Sequence, residues 1–422
     1  MVIRIRWKND IIWPLLILFM IRFYTGKHEL IFVLSLVWIL TLTVRNHKFV
    51  LCLPRIKGLL LYVTVIAVST FIGAMYNETR DVIKDIFYIS QTVAIMIVGY
   101  QYYYIRKPKD IKKTLYIVGF LMAIIPLIRV VINISEITDL TSIRSIASKD
   151  VYEVAFIFAI LLVDKLVINR VIFTKTIDWI IAIVMVLDVA VSMGRTELIA
   201  TISMVFTILL LNILIGENKG KKILNVGGVL IFMILLIGTI YMILPESIQG
   251  EFQAKLDKSF NEVNNDLEYD NYAEAIQHWR GFEIEQAKEQ WKEAPIWQEM
   301  IGQGFGTYIK VKYIPNEFTE DMSKGNSIAL LHNAYYTLLV KCGILGTIAL
   351  IWLYLSNILQ FFTIKEKWLK KEAITIVAIT VGMILMSYVV NGNFGGRMWI
   401  TWGIMVGWIN AEIRAGSRKR IQ

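Results

Sequence analysis

Apolar runs of about 16–22 residues recur from one end of this 422-residue chain to the other, and nothing in the sequence constrains its fold more. As a helix, each run is long enough to cross a hydrocarbon layer roughly 30 Å thick. The runs fall at about 10–25, 29–44, 59–75, 86–105, 114–134, 151–169, 177–193, 198–215, 223–244, 332–362, 372–390 and 398–413, twelve in all. The first two are short. A chain that is 56% hydrophobic, with a mean hydropathy of +0.57, cannot cover the surface of a soluble globule with polar groups. The first run lacks a small-residue cleavage site and is followed by further runs, so it reads as a span rather than a removable signal. The expected fold class is an all-α integral membrane protein of about 12 transmembrane helices.

Lys and Arg set the orientation. One alternate set of connections carries 25 of them, from Arg4, Arg6 and Lys8 at one end to Arg418, Lys419 and Arg420 at the other. The short connections of the other set carry seven: Lys27, Arg80, Lys84, Arg144, Lys149, Arg195 and Arg397. Basic loops stay on the cytoplasmic side, so both termini are expected there. The net charge of +10 is then anchoring charge, with some attraction for anionic membrane lipids, and requires no nucleic acid. Cys52 falls in a cytoplasmic loop and Cys342 in a span near the opposite face, so a disulfide between them is not expected.

One connection is long. Residues 245–331 separate a nine-helix region, 1–244, from a three-helix region, 332–422, that ends in a basic tail. This loop is expected outside the cytoplasm, ordered and mainly helical. It holds 16 acidic and 8 basic residues over 245–330, so it can bind an anion only through a few placed cations. Residues 272–294 read as one amphipathic helix ended by Pro295, with Ile276, Ile284, Ala287 and Trp291 at helical spacing. Such a helix suits the headgroup level of a bilayer. Arg280 lies on its apolar stripe, where a cation needs either a partner or a ligand. The stretch GQGFG follows, with Gly302, Gly304 and Gly306 permitting close backbone approach; alone it is no more than a turn.

The next helix opens with HNAYYTLLVKCGILG. On a straight helix His332, Tyr336, Leu339, Gly343 and Gly346 share one face, and the two glycines let a neighbouring helix come close. Counting about 20 residues back from Phe362 puts the outer edge of the hydrocarbon near Gly343 and His332 some 15 Å further out. In the tight outer turn SMGRTE, Arg195 stands at a similar height and breaks the charge trend. An arginine there is suited to phosphate, which its planar fork binds through two hydrogen bonds. Arg397, in the turn NGNFGGRMW, is a weaker third cation. An outer-leaflet anion with a proton to be moved beside it fits this set.

At this point the chain resembles the O-antigen ligase and O-antigen polymerase superfamily of bacterial envelope glycosyltransferases. The likeness rests on His332, Asn333, Gly343 and Gly346 as H-N-x9-G-x-x-G, on Arg280 and Trp291 followed by GQGFG, and on SMGRTEL at Arg195. It covers roughly residues 180–362; the earlier spans agree only in hydropathy. The resemblance implies transfer of a glycan from an undecaprenyl-pyrophosphate carrier to an acceptor hydroxyl of a glycan or lipid at the outer face of the bacterial inner membrane. It implies inversion at the anomeric carbon, with no metal and no other cofactor. It gives Arg195 and Arg280 the pyrophosphate, His332 the attacking hydroxyl, Asn333 the helix start or the imidazole, and the three glycines the donor. Tyr336 and Arg397 join the expected substrate contacts. Within the superfamily, polymerisation of O-antigen, capsule or exopolysaccharide repeats, beside a chain-length regulator, is preferred over ligation to lipid A core or glycosylation of a protein. The alternative of another class is a twelve-span transporter. No acidic partner for His332 is evident from sequence; Glu197, Glu283, Glu285 and Asp321 are the candidates.

Overall fold

A computed structural model describes residues 12–418 except 26–27, 47–54, 105–107, 148–150, 216–218, 255–268, 270, 316–322, 393 and 395–398. Cys52, Asp321 and Arg397 lie outside the described residues. Every apolar run folds as a helix. The first nine give α1 (Trp13–Thr25), α2 (His28–Asn46), α3 (Leu59–Tyr76), α4 (Thr79–Tyr103), α5 (Pro108–Ile132), α7 (Val151–Leu162), α8 (Lys175–Val191), α9 (Arg195–Leu214) and α10 (Lys219–Ile243), with a short α6 (Leu140–Ile146) between α5 and α7. The last three give α15 (Ala334–Thr363), α16 (Lys367–Val389) and α17 (Trp399–Arg418). Among the described residues seven helices are long and apolar enough to cross a membrane, namely α3, α4, α5, α9, α10, α15 and α16. The fold is therefore an all-α, multi-pass membrane architecture. The remaining runs are short, carry charges, or are interrupted, as α7 is by the π-helical turn Val163–Ile168 that continues it.

Glycine sets the closest helix pair. A Cβ at Gly99 of α4 would run into the carbonyl of Ile404, and one at Gly407 of α17 into the carbonyl of Met96. The two backbones meet without intervening side chains, the small-residue packing that holds helices together where lipid is as apolar as leucine. Around this pair one continuous apolar core runs through the bundle.

Several charges inside the bundle are paired with each other, whereas both oxygens of the buried Asp188 of α8 have no hydrogen-bond partner among the described residues. Lys112 of α5 donates to Asp164 at 2.6 Å and to Glu372 of α16 at 2.9 Å, and Arg170 donates to the same two carboxylates. Tyr116 adds a hydrogen bond to Asp164 at 2.6 Å. Arg22 of α1 meets Glu153 of α7 at 2.5 Å, and the Glu153 carboxylate also accepts from the backbone of Ile400 and Thr401. The sequence puts three charges at mid-membrane, Asp188 and the pair Asp164 and Lys165. Asp188 stays within α8, but the π-helical turn gathers the pair with Lys112, Arg170, Asp178 and Glu372 at the end of the bundle where α5, α8 and α16 begin.

The long connection carries α11 (246–254), α12 (Tyr272–Gln277), α13 (Trp279–Lys292), α14 (Ile296–Ile301) and a two-stranded antiparallel ladder, β1 (Ile309–Lys310) with β2 (Ser327–Ile328). It has a small core of its own: Ala275, Phe282, Ala287, Ile309, Val311, Ile328 and Leu331, joined by Val340 of α15. The boundary expected at residue 331 is therefore blurred, because the first two turns of α15 pack with the loop.

Two expectations for this region change. The single helix 272–294 is two helices, broken at His278, whose φ of −114° and ψ of 39° are not helical; Asn271 caps the first by accepting from the backbone N–H of Glu274. The helix opening at HNAYY is not straight either. Gly343, at φ 66° and ψ −168°, breaks it, and residues 334–342 fold back so that the Thr347 hydroxyl donates to the carbonyl of Tyr335 at 3.2 Å. Along a straight helix those two residues would stand about 18 Å apart. The straight-helix estimate that put His332 some 15 Å beyond Gly343 therefore fails, and His332 sits lower, near the level of the kink.

Candidate active site

The site is built where α13 crosses the start of α15. Asn333 is the N-cap of α15, its Oδ1 accepting from the backbone N–H groups of Tyr335 at 3.0 Å and Tyr336 at 3.2 Å. Such a cap satisfies donors that a helix start leaves open. Its extended backbone turns His332 out of the helix and toward α13. There the imidazole Nδ1 stands 2.8 Å from Glu283 Oε1, while the His332 backbone N–H donates to Glu283 Oε2 at 2.9 Å. Both oxygens of one carboxylate thus hold one residue. Glu283 is 1% exposed and the His332 side chain 44%. Against an ionised carboxylate Nδ1 is the donor, and in the neutral ring Nε2 is then the acceptor.

This contact explains why the buried face of α13 differs from the expected stripe. Phe282, Glu283 and Ala287 are buried, while Ile276 and Ile284 are half-buried and Arg280 is exposed. Glu283 goes inside because His332 supplies it with two donors; a buried carboxylate without them would be costly. Arg280 is left one turn before Glu283, roughly 5–6 Å away between Cβ atoms, in no ion pair among the described residues. Tyr336 closes the other side, half-buried against the loop core with the Lys288 ammonium 5.4 Å above its ring. The buried Nδ2 of Asn333 has no acceptor among the described residues.

The three glycines of GQGFG all take φ between 84° and 88°, and what they approach is the protein itself. A Cβ at Gly302 would strike the carbonyl of Lys341, one at Gly304 the backbone of Gly73, and one at Gly306 Val82 and Asn77. Backbone bonds fasten the segment: Gln303 and Gly304 donate to Val340 and Lys341, both at 3.0 Å, and Phe305 to Ser69 at 2.9 Å. Beneath it lies an ion pair the sequence reading missed. Lys341 donates to Asp85 of α4 at 2.5 Å and to the Thr307 carbonyl at 2.6 Å, and Gly306 N–H donates to the same Asp85 oxygen at 2.6 Å. Lys341 and Asp85 are 1% and 3% exposed. Lys341 sits inside the quoted motif but reads there as one polar residue in an apolar run, and only the fold brings Asp85 to it. GQGFG is thus a stitched bracket that fixes the loop against α3, α4 and α15. Gly343 completes it, packed on the backbone of Met300 and Gly302, while Gly346 makes room for Cys342. Neither glycine of the motif faces a neighbouring membrane helix, as the straight-helix reading had it.

Arg195 is positioned by other elements. It is the first residue of α9, half-buried, after a turn in which Met193 has φ 48°. Arg144 of α6 donates to the Met193 carbonyl at 3.0 Å, so a second arginine supports this turn. The Glu197 carboxylate curls back against Gly194, and so belongs to this turn rather than to His332. Packing links the two places through α16, which lies against both α9 and α15. The Tyr335 hydroxyl reaches α16, donating to the Ile384 carbonyl at 3.2 Å. Beside it a cavity of about 460 Å³ between α15 and α16 is lined by Tyr335, Ile351, Leu355, Ile384, Tyr388 and Val389, almost wholly apolar. Among the described residues no three His, Cys, Asp or Glu side chains cluster to hold a metal ion.

Fold and site together define a multi-pass α-helical membrane protein with a histidine–carboxylate pair held at one end of its bundle. The chain belongs to the family described as Family of unknown function (DUF6369), whose model matches residues 39–415. No curated protein matches it.

Proposed function

We propose that this protein is a membrane glycosyltransferase that moves a glycan from a polyprenyl-pyrophosphate carrier to an acceptor hydroxyl at the outer leaflet, polymerising envelope polysaccharide repeats. The observation that carries the reading is the His332–Glu283 pair: a half-exposed imidazole whose Nδ1–H is held by a buried carboxylate. This arrangement suits a general base. Nε2 takes the proton of the acceptor hydroxyl as its oxygen bonds to the anomeric carbon. The bond from that carbon to the pyrophosphate oxygen breaks, the leaving pyrophosphate keeps the electron pair, and attack from the opposite face inverts the centre. Glu283 holds the ring in one tautomer and stabilises the imidazolium that forms. Arg280, exposed one turn away, meets the charge growing on the leaving group, and Arg195 meets the same anion from α9. The apolar cavity beside Tyr335 suits the carrier's hydrocarbon chain. The O-antigen polymerase and ligase resemblance supplies the substrate class, and the lysine-rich connections favour a site facing out of the cytoplasm.

Complementation tests the proposal. His332→Ala and Arg280→Ala are expressed in a strain deleted for this gene, membrane levels are checked, and the envelope glycan is run on a gel. We expect the wild type to restore a ladder and both variants to leave single repeats on the carrier. Long carrier-linked chains that fail to reach lipid A would instead make the protein a ligase. Variants that behave as wild type would refute the site and reopen the transporter reading.

A further inference from the structure

A second feature lies at the far end of the bundle and does not depend on the glycosyltransferase reading. Where α15 ends, opposite the His332 end, a cavity of about 460 Å³ opens between the turn before α3, the α15–α16 connection and the last turns of α17. Four cations line it: Arg55, Lys57, Lys365 and Arg414, against one carboxylate, Glu366. None of the four forms an ion pair among the described residues. That sets them apart from Lys112 and Arg170 nearby, which share Asp164 and Glu372.

The walls are fixed. Asn410 Nδ2 donates to Asn357 Oδ1 at 2.9 Å, Asn357 Nδ2 to the Lys57 carbonyl at 3.1 Å, and the Lys57 backbone N–H to Asn410 Oδ1 at 3.4 Å. This ring of amides ties the turn bearing Arg55 and Lys57 to α15 and α17. Gly58, at φ 77°, presses that turn onto the backbone of Leu353. Gln360 lines the cavity at 6% exposure, and its Oε1 has no hydrogen-bond partner among the described residues. That oxygen accepts only, so it does nothing to hold a deprotonated phosphate, whose binding rests on the four cations. A net positive, preformed cavity whose cations lie in no ion pair among the described residues suits an anion.

We propose that this cavity binds a phosphate group, with the headgroup of an anionic phospholipid as the source its surroundings favour. Ile364, Leu369 and Ile413 give it an apolar wall, and Leu359, Phe362 and Trp368 lie exposed on the adjoining helix surface, where acyl chains would run. Basic pockets between membrane helices on the cytoplasmic side hold such headgroups.

Native mass spectrometry of the full chain in detergent tests this, with phosphatidic acid, phosphatidylcholine of the same acyl chains, and inorganic pyrophosphate as probes. Phosphatidic acid should bind at least about tenfold more tightly than phosphatidylcholine, and Lys365→Gln with Arg414→Gln should weaken it by about 30-fold, as expected for two near-surface cations. Lys312→Gln, in the loop at the other end, should leave it unchanged, and thermal melts should show all variants folded. If pyrophosphate binds at the same place and displaces the lipid, the phosphate site stands and its source is a soluble phosphate compound. No preference for phosphatidic acid, or a double variant that binds it like wild type, overturns the proposal.

Discussion

Two charge clusters at opposite ends of the bundle are built in different ways. At the end where α5, α8 and α16 begin, Lys112, Arg170, Asp164 and Glu372 close on one another, with Tyr116 filling a remaining acceptor. At the other end, Glu283 is buried but spends both its oxygens on one residue, His332, whose ring stays half in the open, and Arg280 beside it is left exposed. Charges that satisfy each other hold helices together. A charge that orients a reactive group outward leaves capacity for a substrate. The comparison therefore assigns the first cluster to architecture and the second to chemistry, and it fails if variants of the two behave alike.

The largest separation should come from His332→Ala. Losing a general base lowers a transfer rate by roughly 10²–10⁴-fold. The thermal midpoint should fall less than in Lys112→Ala, because Glu283 loses the ring donor but keeps the His332 backbone N–H. An assay of repeat-unit transfer in proteoliposomes, with a melting curve beside it, reads both; a variant that unfolds without a selective rate loss would put His332 among the structural residues. Lys112→Ala should do the reverse. Removing one member of a buried charge cluster leaves its partners uncompensated and destabilises by about 3–5 kcal/mol. Membrane yield and melting temperature should fall together, while whatever protein folds keeps its specific activity.

Much of this contrast was legible in the sequence, and what was not had one common cause. Hydropathy placed a helix under every apolar run, since a segment in lipid must satisfy its own backbone. Seven of those helices have the length and composition of a span, and α1 and α2 remain short, as their runs are. His332 and Asn333 were visible because polar residues at the mouth of an apolar helix need a reason. The carboxylate behind His332 was one of four possibilities, since 49 residues and a reversal of direction separate it from Glu283. Asp85 and Lys341 were invisible as a pair for the same reason, lying 256 residues apart. The kink at Gly343 escaped because a glycine in an apolar helix reads equally as a packing surface or a break, and only the contact with Met300 and Gly302 decides. Arg280 was placed on the wrong face, because a hydrophobic stripe cannot foresee a glutamate drawn inward by two donors.

A finer cut separates the orienting carboxylate from the base. Glu283→Gln keeps the size of the side chain but removes its charge. A charge-assisted hydrogen bond contributes about 1.5–3 kcal/mol, so transfer should slow by roughly 10–100-fold, less than in His332→Ala. The double variant should be no worse than His332→Ala alone, because the two act as one unit. Independent, multiplying losses would mean that Glu283 holds α13 in place rather than the imidazole.

The smallest expected effect tests the bracket that joins the two kinds of region. Gly302 has φ 86° and ψ 171°, a conformation essentially closed to other residues, and a Cβ there runs into Lys341 and Cys342. Gly302→Ala should therefore cost about 1–3 kcal/mol of stability. If GQGFG only fastens the loop, the folded fraction should lower in step with total transfer, with the apparent affinity for the lipid-linked donor unchanged. If its backbone also touches the donor, affinity for the donor should weaken beyond the loss of folded protein, and that outcome would move the glycines from the architectural side of the comparison to the chemical one.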